Sequence, residues 1–202
     1  MTSGGSRPVF GAGDILWEVK KGAWYGWPDF HAGKPLDKEK HYQPPGKTNP
    51  EPLLEEKPGE PAEPAAIFAV HSSSNGFDFS RSPEFGYAGQ GFVAQFGDEA
   101  PATGKVLAPV GFKVVRVNVE EGMVTDFAVN RGEKNAPASM LGSGGLERPI
   151  AARFTPDGSA LYIVDFGVML HDRDGAKPVK GTGVLWRITR SGQMPEPLQS
   201  ER

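Results

Sequence analysis

The sequence predicts an all-β protein made of short antiparallel strands in repeated four-stranded units, and three observations predict it. Glycine (27) and proline (19) together make up almost a quarter of the 202 residues. That disfavours long helices and favours short strands joined by many turns. Second, the apolar runs are four to nine residues long and rich in strand formers, with turn residues at their ends. Third, a pattern of strands recurs along the chain.

Residues 1–13 are small and polar and are expected to be loose. Asp14–Val19 reads as a short strand, and Gly22–Pro28 follows it with Trp24, Tyr25 and Trp27, which need packing partners. Residues 31–65 hold eight prolines, many charges and few apolar residues. They are expected to form a proline-rich insertion without secondary structure, laid over the surface, with His31 and His41 exposed. Strands follow at Ala66–Val70, Phe77–Ser80, Gly91–Phe96, Gly111–Val119 and Val124–Val129. In Gly111–Val119 one face carries Phe112, Val114 and Arg116, and the other Val115, Val117 and Val119.

Residues 131–147 read as a Gly/Ser-rich loop. Ile150–Phe154 and Ala160–Phe166 then flank Pro156-Asp157-Gly158, the composition of a tight hairpin turn. A charged loop (His171–Lys180) and a strand at Gly183–Arg190 come next. The last dozen residues read as a weak strand or tail, with 198–202 as tail.

The repeat gives this order its shape. Phe79, a strand ending Phe96-Gly97, and Val114-Val115-Arg116-Val117 form one copy. Phe154, a strand ending Phe166-Gly167, and Leu185-Trp186-Arg187-Ile188 form the second. Phe96 and Arg116 are 20 residues apart, Phe166 and Arg187 21. Leu16-Trp17-Glu18-Val19 has the form of the third strand of an earlier copy. Repeated four-stranded antiparallel units read as propeller blades: about two complete and part of a third, over residues 14–197. Rings close with four to eight blades, so these leave sheet faces and edges uncovered, and self-association or further blades are expected to cover them.

Composition excludes several functions. There are no cysteines, which removes disulfides, thiolate zinc sites and cysteine nucleophiles. The net charge of −3 with interspersed signs argues against nucleic acid. No apolar run reaches membrane-spanning length, and MTSGGSRPVFGAG lacks the basic and apolar regions of a signal peptide.

The segments GAWYGWPDF, HSSSNGFDFS, GFVAQFGDEAP, VGFKVVRVNV, LERPIAARFTPDGSALYIVDFG and GTGVLWRITR, in this order, resemble the C-terminal half of glucose/sorbosone dehydrogenase-type proteins. The resemblance runs from about Asp14 to Arg190 apart from the insertion. It implies a partial six-bladed β-propeller, in a family whose characterised members use pyrroloquinoline quinone and calcium to oxidise sugars in the periplasm or outside the cell. The implied partner is a sugar or polyol. On this resemblance Tyr25 and Asp14 match calcium ligands, His71 lies at the cofactor-facing end of a blade, and Arg148 matches the first of two arginines that hold the quinone carboxylates. Ile150 stands where the second arginine falls, Gly97 near the expected lysine, and Lys105 within reach of it. The catalytic histidine belongs to an earlier blade, so no catalytic residue is expected here.

The mouth of a propeller presents strand ends, where His71, Asp98, Arg148 and Asp165 fall. Each has a structural reading too. His71 caps a turn, and Arg148 pairs with Glu147 or Asp165. Asp98 and Asp165, read as equivalent places in the two repeats, serve turn hydrogen bonds. The two functional readings are thus part of a quinone-dependent sugar dehydrogenase, inactive alone, or a dehydrogenase-like propeller acting as a binding or scaffold module.

Overall fold

A computed structural model describes residues 9–98, 109–132, 134–172 and 175–191. The chain divides into two compact units, Met1–Val70 and His71–Arg202.

In the first unit β1 (Ile15–Leu16) pairs antiparallel with β4 (Ala66–Ile67). The ladder is much shorter than Asp14–Val19. The Tyr25 hydroxyl donates to the Glu18 carbonyl at 3.1 Å and accepts from the Lys20 amide at 2.6 Å, which commits residues 18–20 to a local turn. The insertion between β1 and β4 is not structureless, which corrects the expectation. It carries the hairpin β2 (Phe30–His31) and β3 (Lys34–Pro35) and a 3-10 turn at Lys40–Tyr42. Its own Ala32, Leu36 and Tyr42 are buried. Two polar side chains take the place of a ladder. The buried Asp29 carboxylate accepts the Leu53 and Leu54 amides at 2.7–2.9 Å, and Asn49 donates to the Leu36 and Glu39 carbonyls, each at 2.9 Å. Side-chain bonds of this kind fix a proline-rich chain that cannot supply enough N–H groups of its own.

In the second unit β5 (Ser74–Phe79), β6 (Gly91–Gln95), β7 (Lys113–Asn118) and β8 (Met123–Ala128) form a four-stranded antiparallel sheet in chain order. A short helix, α1 (Ala138–Leu141), interrupts the expected Gly/Ser loop and ends on Gly142 in the left-handed region at φ 64°. Then β9 (Pro149–Phe154) and β10 (Ala160–Asp165) form the hairpin. The expected charged loop is instead largely a second hairpin, β11 (Met169–Asp172) with β12 (Gly175–Pro178). Finally β13 (Val184–Thr189) returns to pair with β10, giving the order β13-β10-β9. The last dozen residues lie outside the described part, apart from Ser191.

The two larger sheets of this unit have the same order of their first three strands, as the repeat requires. They pack through Phe92, Ala94 and Val114 of one and Ala152, Phe154, Leu161 and Ile163 of the other. Phe92 meets Phe154 edge-on at 5.2 Å and Phe127 at 4.7 Å. The leading strands come so close that a Cβ on Gly76 would stand 2.9 Å from the Ala151 Cα. The Asp78 carboxylate ties them by accepting the Phe154 amide at 3.0 Å. Strand β7 is buried on both faces, since Val114, Val115 and Val117 are each at most 2% exposed. Its Arg116 is accommodated by stacking 4.2 Å from the Tyr87 ring and donating to Gln90. All strands of the described residues are antiparallel, in several small sheets.

Candidate functional site

The connections of the second unit fall at two ends of its sheets. At one are the β5–β6 connection (residues 80–90) and the β7–β8 and β9–β10 turns. At the other, loop-rich end lie the described residues 71–73, 96–98, 109–112, 129–132, 134–148, 166–172 and 175–183. This end collects all four residues expected to face a ligand.

Arg148 precedes β9 and is buried at 5% exposure. Its guanidinium carbon lies 4.8 Å from the Phe96 ring centre and 5.1 Å from that of Phe112. Its Nη1 makes a long contact, 3.5 Å, to the Phe96 carbonyl. A guanidinium is weakly hydrated and stacks on rings, so it tolerates this burial better than an ammonium would. Sequence reading missed both rings; the Phe-Gly ending of each repeat was the available signal.

Asp165 ends β10 and is 3% exposed. Oδ1 accepts the Arg148 amide at 2.8 Å and the Gly167 amide at 3.0 Å, while Oδ2 accepts the Glu147 amide at 2.8 Å and the Trp186 indole N–H at 3.4 Å. Asp165 and Arg148 therefore meet, but through the arginine's backbone. Glu147 instead holds α1, accepting the Ser139 amide and hydroxyl at 2.6 and 2.9 Å.

The counterpart of Asp165 in the first sheet is Gln95, because β6 ends there and Phe96-Gly97 matches Phe166-Gly167. This corrects the pairing of Asp98 with Asp165. Asp98 lies three residues on, half-buried, with its amide bonded to the Val110 carbonyl at 2.9 Å. Gln95 is 2% exposed. Its Nε2 donates to the Ser74 hydroxyl at 3.2 Å, and its Oε1 is buried without a partner among the described residues.

His71 precedes β5 in the left-handed region, φ 65°, which is uncommon for a side chain of this size. Its ring is half-buried and its Nε2 has no partner among the described residues. Ser72 connects it to the strand ends by accepting the Gly97 amide at 3.0 Å.

In the first unit the Tyr25 hydroxyl is engaged by Glu18 and Lys20. The Asp14 carbonyl accepts the Phe68 amide at 2.8 Å. Asp14 also lies close enough to His31 to raise that ring's pKa slightly. His31 itself is half-buried, not exposed. Burial is the main cause that pushes its pKa below 6.5; a Gly13 backbone hydrogen bond opposes this and His41 reinforces it. No group of three or more His, Asp or Glu side chains that could hold a metal ion occurs among the described residues.

These contacts test the implied cofactors. A quinone with several carboxylates needs a cationic cradle. Arg148, the guanidinium that the resemblance assigns to the quinone, is already sandwiched by two rings, and the Asp165 carboxylate is already saturated by N–H donors. A side chain at position 97 itself would be strained: φ is 99°, and a Cβ would stand 2.4 Å from the Phe112 ring. Lys105 lies outside the described residues. Arg148 and Asp165 as they stand do not fit the quinone's carboxylates, and Asp14 and Tyr25 lie in no group of three or more candidate metal-binding side chains among the described residues.

A groove of about 590 Å³ opens elsewhere in the second unit, between β8, residues 143–146 and β13. Phe127, Leu146, Ile163, Trp186 and Ile188 line its apolar part. No helix among the described residues is long and apolar enough to cross a membrane.

No family model and no curated protein matches the chain. Among solved structures it is similar to the calcium structure of a Trichoderma reesei carbohydrate-active enzyme of family AA12, at a TM-score of 0.40 and 16% identity, over 70% of this chain and 35% of that one. A likeness of that size carries no argument about fold or activity.

Proposed function

We propose that this chain is a segment of a β-propeller of the sugar-dehydrogenase type that works as a binding or scaffold module rather than as a redox centre. One observation carries the reading. Two charged residues of the loop-rich end, Arg148 and Asp165, are engaged inside the protein, by two phenyl rings and by backbone and indole N–H groups. Two successive sheets with matching strand order support the propeller part. The gathered long connections are the surface on which a propeller binds its ligands. By the resemblance, a sugar or polyol is the ligand class and the periplasm or cell exterior the location.

A second reading keeps the quinone and calcium. His71 favours it, because its Nε2 is buried without a partner among the described residues at the loop-rich end, and a ring atom so placed suits a ligand contact. One experiment separates the two. The protein is titrated with pyrroloquinoline quinone in calcium buffer, alone and as part of any longer product of its gene. Quinone binding is read by tryptophan quenching and activity by dye reduction with aldoses. The scaffold reading expects neither saturable quenching nor reduction. Saturable quenching that Arg148→Met abolishes would establish the dehydrogenase reading instead.

A further inference from the structure

The groove between β8, residues 143–146 and β13 has fixed walls. Asn130 pins one of them: its Nδ2 donates to the Ala136 and Leu146 carbonyls at 2.9 and 2.7 Å, and its Oδ1 accepts the Leu146 amide at 2.8 Å. Phe127 is held edge-on to Phe92 at 4.7 Å. Trp186 turns its indole N–H inward, to Asp165 Oδ2 at 3.4 Å, so it offers the groove ring carbon. A preformed space of about 590 Å³ with apolar walls and few polar groups has the make-up of a small-molecule site.

The charge on its lining is of one sign. No aspartate or glutamate lines the groove. Asp126 and Glu147, each next in sequence to a lining residue, are engaged with Lys113 and Ser139. Arg81, Arg116, Arg148, Arg153 and Arg190 each have a partner within the protein. Arg131 and Arg187 have no ion pair or hydrogen bond to the described residues, and both line the groove. By strand alternation the Arg187 side chain leaves β13 on the face opposite Trp186 and Ile188, so Arg131 is the cation of the groove. A lone guanidinium matches a carboxylate in charge and, through two parallel N–H groups, in shape. We propose that the groove binds a small apolar carboxylate, its hydrocarbon body against Trp186 and Phe127 and its carboxylate on Arg131. The Ser143 hydroxyl, also on the lining, supplies a further donor. Binding here needs neither a quinone nor a sugar.

NMR of the full chain, titrated with naphthoate and with octanoate, tests this and tells a ring from a chain. The Ile163 and Ile188 methyls and the Trp186 indole N–H should shift saturably with at least one of these acids. The neutral alcohols naphthalenemethanol and octanol should bind about tenfold more weakly, and Arg131→Gln should weaken the acids by a similar factor. Arg187→Gln makes the same change in net charge and should alter affinity by no more than about twofold, since a distant exposed charge is screened. No saturable shift with either acid would overturn the proposal. Acid and alcohol binding alike, or Arg131→Gln binding as tightly as the wild type, would overturn it in favour of a ligand without a head group. Groove signals that move with protein concentration before any ligand is added would also overturn it, in favour of a second copy over the groove.

Discussion

Asp165 shows how a single side chain can be taken from a ligand role by its neighbours. A carboxylate surrounded by three backbone N–H groups is an anchor for the start of β9, and replacing it strands those donors in the interior. Asp165→Ala is expected to cost about 3 kcal/mol or more in urea unfolding. Gly97 is as constrained. Gly97→Ala should destabilise by about 3 kcal/mol, because the positive φ and the Phe112 ring both oppose a Cβ. A wild-type melting curve for either variant would refute the geometry. His31 gives a pH effect. Its folded pKa lies below 6.5, so between the two values the unfolded chain binds more protons than the folded one. Stability should therefore fall as pH drops from about 7.5 to 5.5, and His31→Gln should flatten that slope. Of Asp165 and Gly97 the sequence disclosed identity and position at a strand end, while it placed His31 exposed in a loop. It did not disclose which atoms were already engaged.

At the level of elements, the β9–β10 hairpin is the best-determined piece. Gly158 takes φ 73°, and Asp157 accepts from the Thr155 hydroxyl and from the Ser159 amide and hydroxyl. These bonds, the Thr155 hydroxyl first, hold the Asp157 pKa at about 2. A carboxyl titration by NMR should find its midpoint there, moving up in Thr155→Val. The stabilisation is present above the ordinary carboxylate range and disappears as pH falls through about 2. The turn was legible because every contact that makes it lies within six residues. The insertion was not. Its order depends on Asp29 reaching Leu53 and on Asn49 reaching Leu36, contacts more than ten residues long that no local pattern announces. The β11–β12 hairpin was missed for a related reason: its charged residues lack strand alternation, and its two strands pair only with each other.

For the whole molecule, exposed apolar side chains remain on the second sheet. Val164 and Leu185 are cross-strand partners, 40% and 63% exposed. Lone exposed apolar residues are ordinary, but a facing pair on a sheet favours association. Light scattering should show a mass that rises with concentration, reduced by the double change Val164→Lys with Leu185→Lys. A concentration-independent monomer would contradict this.

The sequence by itself determined the all-β class, the β9–β10 hairpin, and the matching order of two successive sheets. Period-two alternation, turn residues and a repeat spacing are local properties, and they survive whatever the chain packs against. Tertiary structure alone decided the rest. It placed Phe96 and Phe112 around Arg148, gave both Asp165 oxygens to N–H groups, and made Gln95 the true counterpart of that aspartate. A polar side chain's chemistry depends on which donors, acceptors and rings surround it. Here those come from strand ends far apart in the chain, 52 residues for Arg148 and Phe96, and only folding brings them together.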